Sequence, residues 1–122
     1  MLSPADKRAE VQRTAHILVR LTGRAPVWFR LPGLCHDDGD LRIAARAGEQ
    51  TVDGLPSGDA FQASAAVIVR TVLGEVRPGS IIVMHMMGPP NAPATGAAVK
   101  ALIPELRARG YRFVRLSQLL GR

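Results

Sequence analysis

Three polar residues of different chemistry, Arg30, Asp59 and His85, lie after segments that have the length of β-strands. In folds with parallel strands, functional side chains gather where the carboxyl ends of the strands meet. An arginine that holds a carboxylate, together with an imidazole that transfers a proton, is a reasonable acid–base set. We therefore predict that these three residues form a catalytic group.

Each of these residues also has a purely structural interpretation. Arg30 could bind loop carbonyls, Asp59 could cap the helix that follows it, and His85 could be a buried histidine with satisfied hydrogen bonds. Spacing alone leaves both interpretations open for each residue.

The other potential ligands and nucleophiles favour structural roles. His16 shares a helix face with Gln12 and Arg13, so we expect it to be solvated. Residues 36–39 (His-Asp-Asp-Gly) are interpreted as a turn, because no second histidine or cysteine pair is spaced to complete a metal site. Cys35 could act as a nucleophile only beside an activating base, and no pattern in the sequence places one against its thiol. We predict no metal site within this chain.

Alternating helix and strand patterns must position the candidate residues. Ser3 is placed to cap a first helix that starts at Pro4 and ends near Gly23. Asp59 is placed to cap a later helix, and Thr95 the last long helix, in which Pro104 predicts a kink or a late start. The remaining segments are predicted strands at residues 27–29, 50–53, 80–84 and 111–116, and predicted helices at residues 41–47, 61–72 and from 117.

Four strands that alternate with four helices, before a short terminal helix, predict an α/β fold with a parallel sheet, either a half-barrel or a small open layer. The 122 residues are enough for one domain. The basic residues are scattered and aromatic residues make up only 4%, which argues against a nucleic-acid partner despite a net charge of +6. We find no apolar run long enough to span a membrane and no secretory signal peptide.

Four segments match, in order and spacing, the motifs of a known family. They are residues 28–33 (WFRLPG), residues 57–59 (SGD), residues 76–85 (VRPGSIIVMH) and the tail of residues 106–120. The chain resembles the C-terminal half of the polysaccharide deacetylases, which form the NodB-homology family of carbohydrate esterases. The resemblance covers residues 1–122 and implies part of a distorted (β/α) barrel that removes N- or O-acetyl groups from a glycan such as chitin or peptidoglycan.

The resemblance also implies a role for each site residue. Arg30 would orient the catalytic carboxylate, and His85 would be the general acid that protonates the leaving amine, tuned by Asp59. The residues that would wall the acetyl pocket are Leu31, Pro32 and Met84. The sequence departs from the family pattern at four positions in or directly beside these motifs, namely Leu31, Gly33, Ala60 and Met86.

Two family motifs are missing from this sequence. The family's Thr-Phe-Asp-Asp-Gly motif supplies the base and one metal ligand, and its His-x-x-x-His motif supplies two more ligands to zinc or another divalent metal. Without them we expect the chain to be a fragment, or inactive alone. The alternative is a non-catalytic half-barrel module that binds glycan, dimerises, or complements a partner chain that provides the N-terminal half. The family is usually extracellular or in the cell envelope.

Overall fold

The chain divides into two units, Met1–Asp53 and Gly54–Arg122, in the computed structural model, which describes residues 2–34, 37–87 and 90–121. The first unit contains helix α1 (Pro4–Thr22), strand β1 (Trp28–Phe29), helix α2 (Asp38–Arg46) and strand β2 (Gln50–Thr51). A single 3-10 turn, Pro32–Leu34, follows β1. β1 and β2 pair in parallel, with Trp28 opposite Gln50.

Helix α1 begins and ends where the sequence predicts. The Ser3 hydroxyl accepts the Asp6 backbone N–H at 3.2 Å, and the Asp6 carboxylate accepts the Ser3 N–H at 3.3 Å. This reciprocal capping box satisfies donors that would otherwise be unpaired at the helix start. Gly23 ends the helix in the left-handed conformation at φ 71°, which glycine adopts without steric cost.

Helix α2 starts earlier than predicted, because Asp37 caps it. The Asp37 side chain accepts the Asp40 backbone N–H at 2.9 Å, which draws Asp38 and Gly39 into the first helical turn. The turn predicted at residues 36–39 is therefore wrong for Asp38 and Gly39, while Asp37 precedes the helix as its cap, and Cys35 and His36 lie outside the described residues. The Lys7 ammonium then joins α1 to α2 through a 2.6 Å ion pair with Asp40.

The second unit contains strand β3 (Leu55–Pro56), helix α3 (Ala65–Glu75), strand β4 (Ile82–Val83), helix α4 (Thr95–Ala108) and the short helix α5 (Leu116–Leu119). β3 was not predicted, since proline lacks the N–H of a strand ladder. Here the N–H groups on either side of Pro56 donate to carbonyl oxygens at β4: Leu55 to Ile81, just before the strand, at 2.7 Å, and Ser57 to Val83 at 3.3 Å. The approach is so close that a Cβ at position 54 would overlap the Ile81 carbonyl, which explains Gly54.

Helices α3 and α4 provide the core of the second unit. Ile68 packs with Ala94 and Ala98. A neighbouring cluster contains Val72, Val76, Leu102 and Leu106. Ile68 and Val72 are completely buried, as their spacing predicts. The helix predicted from residue 61 starts later than predicted, because α3 begins at Ala65 and Phe61 is 92% exposed in the preceding turn.

The sheet is smaller than predicted. Within the described ranges, β1–β2 and β3–β4 form two separate two-stranded parallel sheets, and the strand predicted at residues 111–116 is not formed. Helix α4 continues through Pro104. The architecture is therefore mixed helix and strand with short parallel sheets, while the partial (β/α) barrel stays a prediction. Among the described helices, none has both the length and the apolar character that crossing a membrane requires.

Candidate active site

Asp59 and His85 form a doubly bonded pair at the ends of β3 and β4. The chain leaves β3 at Pro56 and β4 at Val83, so the pairing of the two strands brings the following loops together. One Asp59 oxygen, Oδ1, lies 2.8 Å from His85 Nδ1, and the other, Oδ2, accepts the His85 backbone N–H at 2.8 Å. The Asp59 side chain is 2% exposed and the His85 side chain 32% exposed. A buried carboxylate therefore holds an imidazole that still reaches solvent.

Thr95 completes the environment of Asp59. Its hydroxyl donates to Asp59 Oδ2 at 2.6 Å. The sequence predicts Thr95 as the cap of α4, but Thr95 is the first residue of that helix, and the capping position belongs to Ala94, which makes no side-chain capping bond. Asp59 is not a cap either, because α3 starts after Ser64. Sequence reasoning thus missed Thr95 as a site residue, since its contact with Asp59 spans 36 residues.

Asp59 is held in its ionised form. Burial alone would raise the pKa of this carboxyl, because a charged group is less well solvated inside the protein. The hydrogen bonds from the His85 backbone, the Thr95 hydroxyl, the His85 ring and Ser57 outweigh burial and lower the pKa from 3.8 to about 2. At neutral pH Asp59 is therefore an anion that can only accept hydrogen bonds.

The charge of Asp59 determines how the His85 ring is protonated. Since the carboxylate accepts only, the ring nitrogen that faces it, Nδ1, must carry a proton. The other nitrogen, Nε2, has no hydrogen-bond partner among the described residues. This arrangement resembles the way in which a carboxylate orients a catalytic imidazole in acid–base sites. The pair can therefore transfer a proton through His85 Nε2.

The other predicted site residues lie in different surroundings. Arg30 is exposed and directly follows β1 in the first unit, where Leu31 is buried and Pro32 is exposed. Met84 directly precedes His85, is half-buried, and packs against both core clusters of the second unit. The structure thus brings Asp59 and His85 together, whereas the roles predicted for Arg30, Leu31, Pro32 and Met84 stay predictions.

The described residues do not fit the metal site that the resemblance implies. Across residues 2–34, 37–87 and 90–121, no three His, Cys, Asp or Glu side chains are grouped so as to hold a metal ion. His16 is exposed on α1, and His85 already uses Nδ1 on Asp59.

No protein-family model matches the chain. Individual relatives do. A peptidoglycan-N-acetylglucosamine deacetylase of Bacillus cereus is 34% identical over 100 residues, which are 80% of this chain and 46% of that protein. The structure of a family 4 acetyl xylan esterase from Clostridium thermocellum, solved with cobalt, superposes with a TM-score of 0.87 at 30% identity, over 98% of this chain and 57% of that one.

A third relative is a mutant, with restored enzymatic activity, of a carbohydrate esterase family 4 pseudoenzyme. It superposes with a TM-score of 0.87 at 25% identity, over 98% of this chain and 43% of that one. The chain thus spans about half the length of these relatives. The chain is thus homologous to part of the polysaccharide deacetylases of carbohydrate esterase family 4, as its motifs indicate.

Proposed function

We propose that this chain is the C-terminal portion of a polysaccharide deacetylase domain and that His85, held by Asp59, is the proton donor of its active site. The substrate class is a glycan with N- or O-acetyl groups, by analogy with the peptidoglycan deacetylase of Bacillus cereus and the acetyl xylan esterase. The observation that supports this proposal is the 2.8 Å contact between Asp59 Oδ1 and His85 Nδ1, which leaves Nε2 available to a substrate.

The pair is suited to the step in which the acetyl group leaves. When the C–N bond of an N-acetyl sugar breaks, the nitrogen takes the bonding electrons and needs a proton. A protonated His85 would give its Nε2 proton to that nitrogen, while Nδ1 keeps its proton on Asp59. The imidazole then returns to the neutral form, and the carboxylate of Asp59 stays an anion throughout.

The remaining parts of the reaction are assigned to polypeptide outside this chain. In this proposal the metal ligands and the base belong to the further length that the relatives have. Arg30 would orient that base, and Leu31, Pro32 and Met84 would contact the acetyl group. The isolated chain is accordingly expected to be inactive.

A chimeric enzyme tests the assignment of His85. This chain would replace the aligned segment of the Bacillus cereus deacetylase, and hydrolysis of acetylated chitooligosaccharides would be compared for the chimera and its His85→Gln variant. Loss of a general acid lowers kcat by about 100-fold or more. His16→Gln, at an exposed histidine of α1, is the matched control and should leave kcat unchanged.

An active chimera whose kcat is unchanged by His85→Gln would contradict the proposal. If the chimera is inactive, the same pair of substitutions in the full-length protein that carries this chain provides the comparison.

A second candidate function is a non-catalytic module that binds glycan or another copy of the chain. The observation that favours it is a largely apolar cavity of about 430 Å³ in the second unit, bounded by β4, α4 and residues 111–114. The backbone groups of residues 112–114 form no hydrogen bond with the described part of the chain. Binding of chitooligosaccharides to the isolated chain, without hydrolysis, would support this function over catalysis.

A further inference from the structure

Asp59 contacts both ends of the connection between β4 and α4. Its Oδ2 oxygen accepts the backbone N–H of His85, just after β4, and the hydroxyl of Thr95, the first residue of α4. The Oδ1 oxygen faces the His85 ring. One carboxylate therefore receives two donors on one oxygen and the imidazole on the other.

The Thr95 hydroxyl is the shortest of these contacts, at 2.6 Å. A hydroxyl that donates to a carboxylate forms a charge-assisted bond, which is stronger than a bond between neutral groups. Asp59 is only 1% exposed, so water has little access to replace a lost donor. Thr95 also does not cap its own helix, since α4 starts without a side-chain cap. The hydroxyl thus has Asp59 as its one partner among the described residues.

We propose that Thr95 is a positioning residue of the Asp59–His85 pair: its hydroxyl holds Asp59 Oδ2 and thereby keeps Oδ1 directed at the His85 ring. The significance of this role for catalysis rests on the proposed function of His85, although the role itself concerns only the geometry of this chain. Thr95 lies at the start of a helix whose Ala98 and Leu102 are buried in the core. The Thr95 hydroxyl thus links Asp59 to a helix that is anchored in the core of the second unit.

The test measures the ionisation of Asp59 by carboxyl ¹³C NMR in the isolated full chain. Thr95→Val removes the donor at nearly constant volume, so the acid dissociation constant of Asp59 should fall by about tenfold. Thr95→Ser keeps the hydroxyl and should titrate close to the unmodified chain. Thr22→Val is the matched control, because that hydroxyl bonds backbone carbonyls of α1 and the following turn; it should leave Asp59 unchanged.

A folded Thr95→Val variant in which Asp59 titrates as in the unmodified chain would overturn the proposal. If that variant does not fold, exchange of the Thr95 hydroxyl proton in the unmodified chain decides. We expect slower exchange with water for Thr95 than for the exposed Thr22 hydroxyl at pH 5, and equally fast exchange would overturn the proposal. Neither measurement uses enzymatic activity. The chimera can therefore disprove the role of His85 as proton donor while the positioning role of Thr95 is supported, and the opposite result is equally possible.

Discussion

Asp59 binds His85 at two points, the ring nitrogen Nδ1 and the backbone N–H, each at 2.8 Å. The two contacts fix the position of the residue and the orientation of its ring together. Because Asp59 is buried and His85 is partly exposed, the pair has one face in the protein and one face toward solvent. A proton donor needs this combination of a fixed ring and a reachable nitrogen.

Substitution of Asp59 by asparagine should destabilise the chain. The amide cannot match a carboxylate that accepts bonds from His85 and Thr95 at once, so we expect a loss of about 2–3 kcal/mol at pH 7. Urea unfolding followed by circular dichroism measures this loss of stability. Asp38→Asn, at an exposed position in the first turn of α2, is the control and should cost no more than about 0.5 kcal/mol. Equal losses in the two variants would contradict the special role of Asp59.

Acid should weaken the fold through the same carboxyl. The pKa of Asp59 is about 2 in the folded chain and 3.8 as its ordinary value, so folding favours the ionised form. The resulting stabilisation, about 2 kcal/mol, is present above pH 4 and is lost as the pH falls toward 2. Urea unfolding at pH 5 and pH 2 should show this loss of about 2 kcal/mol in the unmodified chain. The Asp59→Asn variant should lack it. The same acid loss in both proteins would show that Asp59 does not titrate as described.

Truncation of a buried side chain between α3 and α4 should destabilise the chain. Ile68 is completely buried against Ala94 and Ala98, so Ile68→Ala should cost about 2–5 kcal/mol by leaving a cavity. Leu21→Ala, at a side chain that is 77% exposed, should cost no more than about 0.5 kcal/mol. Urea unfolding measures the free energy of unfolding of both variants. Ile68→Val is the milder change to use if Ile68→Ala does not fold. A negligible cost at Ile68 would contradict the packing.

The sequence predicts the parts of the fold that depend on neighbouring residues. Ser3, Asp6 and Gly23 determine α1 through bonds that span three or four residues, and the helix is confirmed at both ends. Ile68 and Val72 share a face by helical period alone. The resemblance to the family motifs also predicts that Asp59 acts on His85, and in the structure the two residues are in direct contact.

Predictions fail where distant contacts decide the structure. Asp59 looks like a cap because it precedes an apolar helix, yet its carboxylate is engaged 26 and 36 residues away. β3 is formed around Pro56 because only the flanking N–H groups are needed by β4. Residues 111–116 have the composition of a strand, but a strand requires a partner ladder, which the described residues do not supply.

Zinc should bind the isolated chain weakly or not at all. The described residues group no three potential ligands, and one nitrogen of His85 is engaged by Asp59. Isothermal titration calorimetry with zinc alone should show no stoichiometric site. A site of micromolar or tighter affinity would contradict this prediction and would direct attention to Cys35 and His36.

The isolated chain should associate with itself. Two-stranded sheets have unpaired edges, and the apolar cavity beside residues 111–114 offers a surface that a second copy can cover. Light scattering across a dilution series should give a mass above that of one chain at high concentration. Phe113→Asp, at a lining residue, should lower that mass, whereas Phe61→Asp, in an exposed turn, should not. A monomer at every concentration would contradict the prediction.

In our proposal Asp59 holds His85 through Nδ1 and leaves Nε2 to transfer the proton. The ¹⁵N chemical shifts of the His85 ring, measured in the isolated chain at a pH at which the ring is neutral, show which nitrogen carries the remaining proton. We expect the proton on Nδ1, and a loss of this preference in Asp59→Asn. A neutral ring with the proton fixed on Nε2 would contradict the proposal, because Nδ1 would then have no proton to donate to the carboxylate.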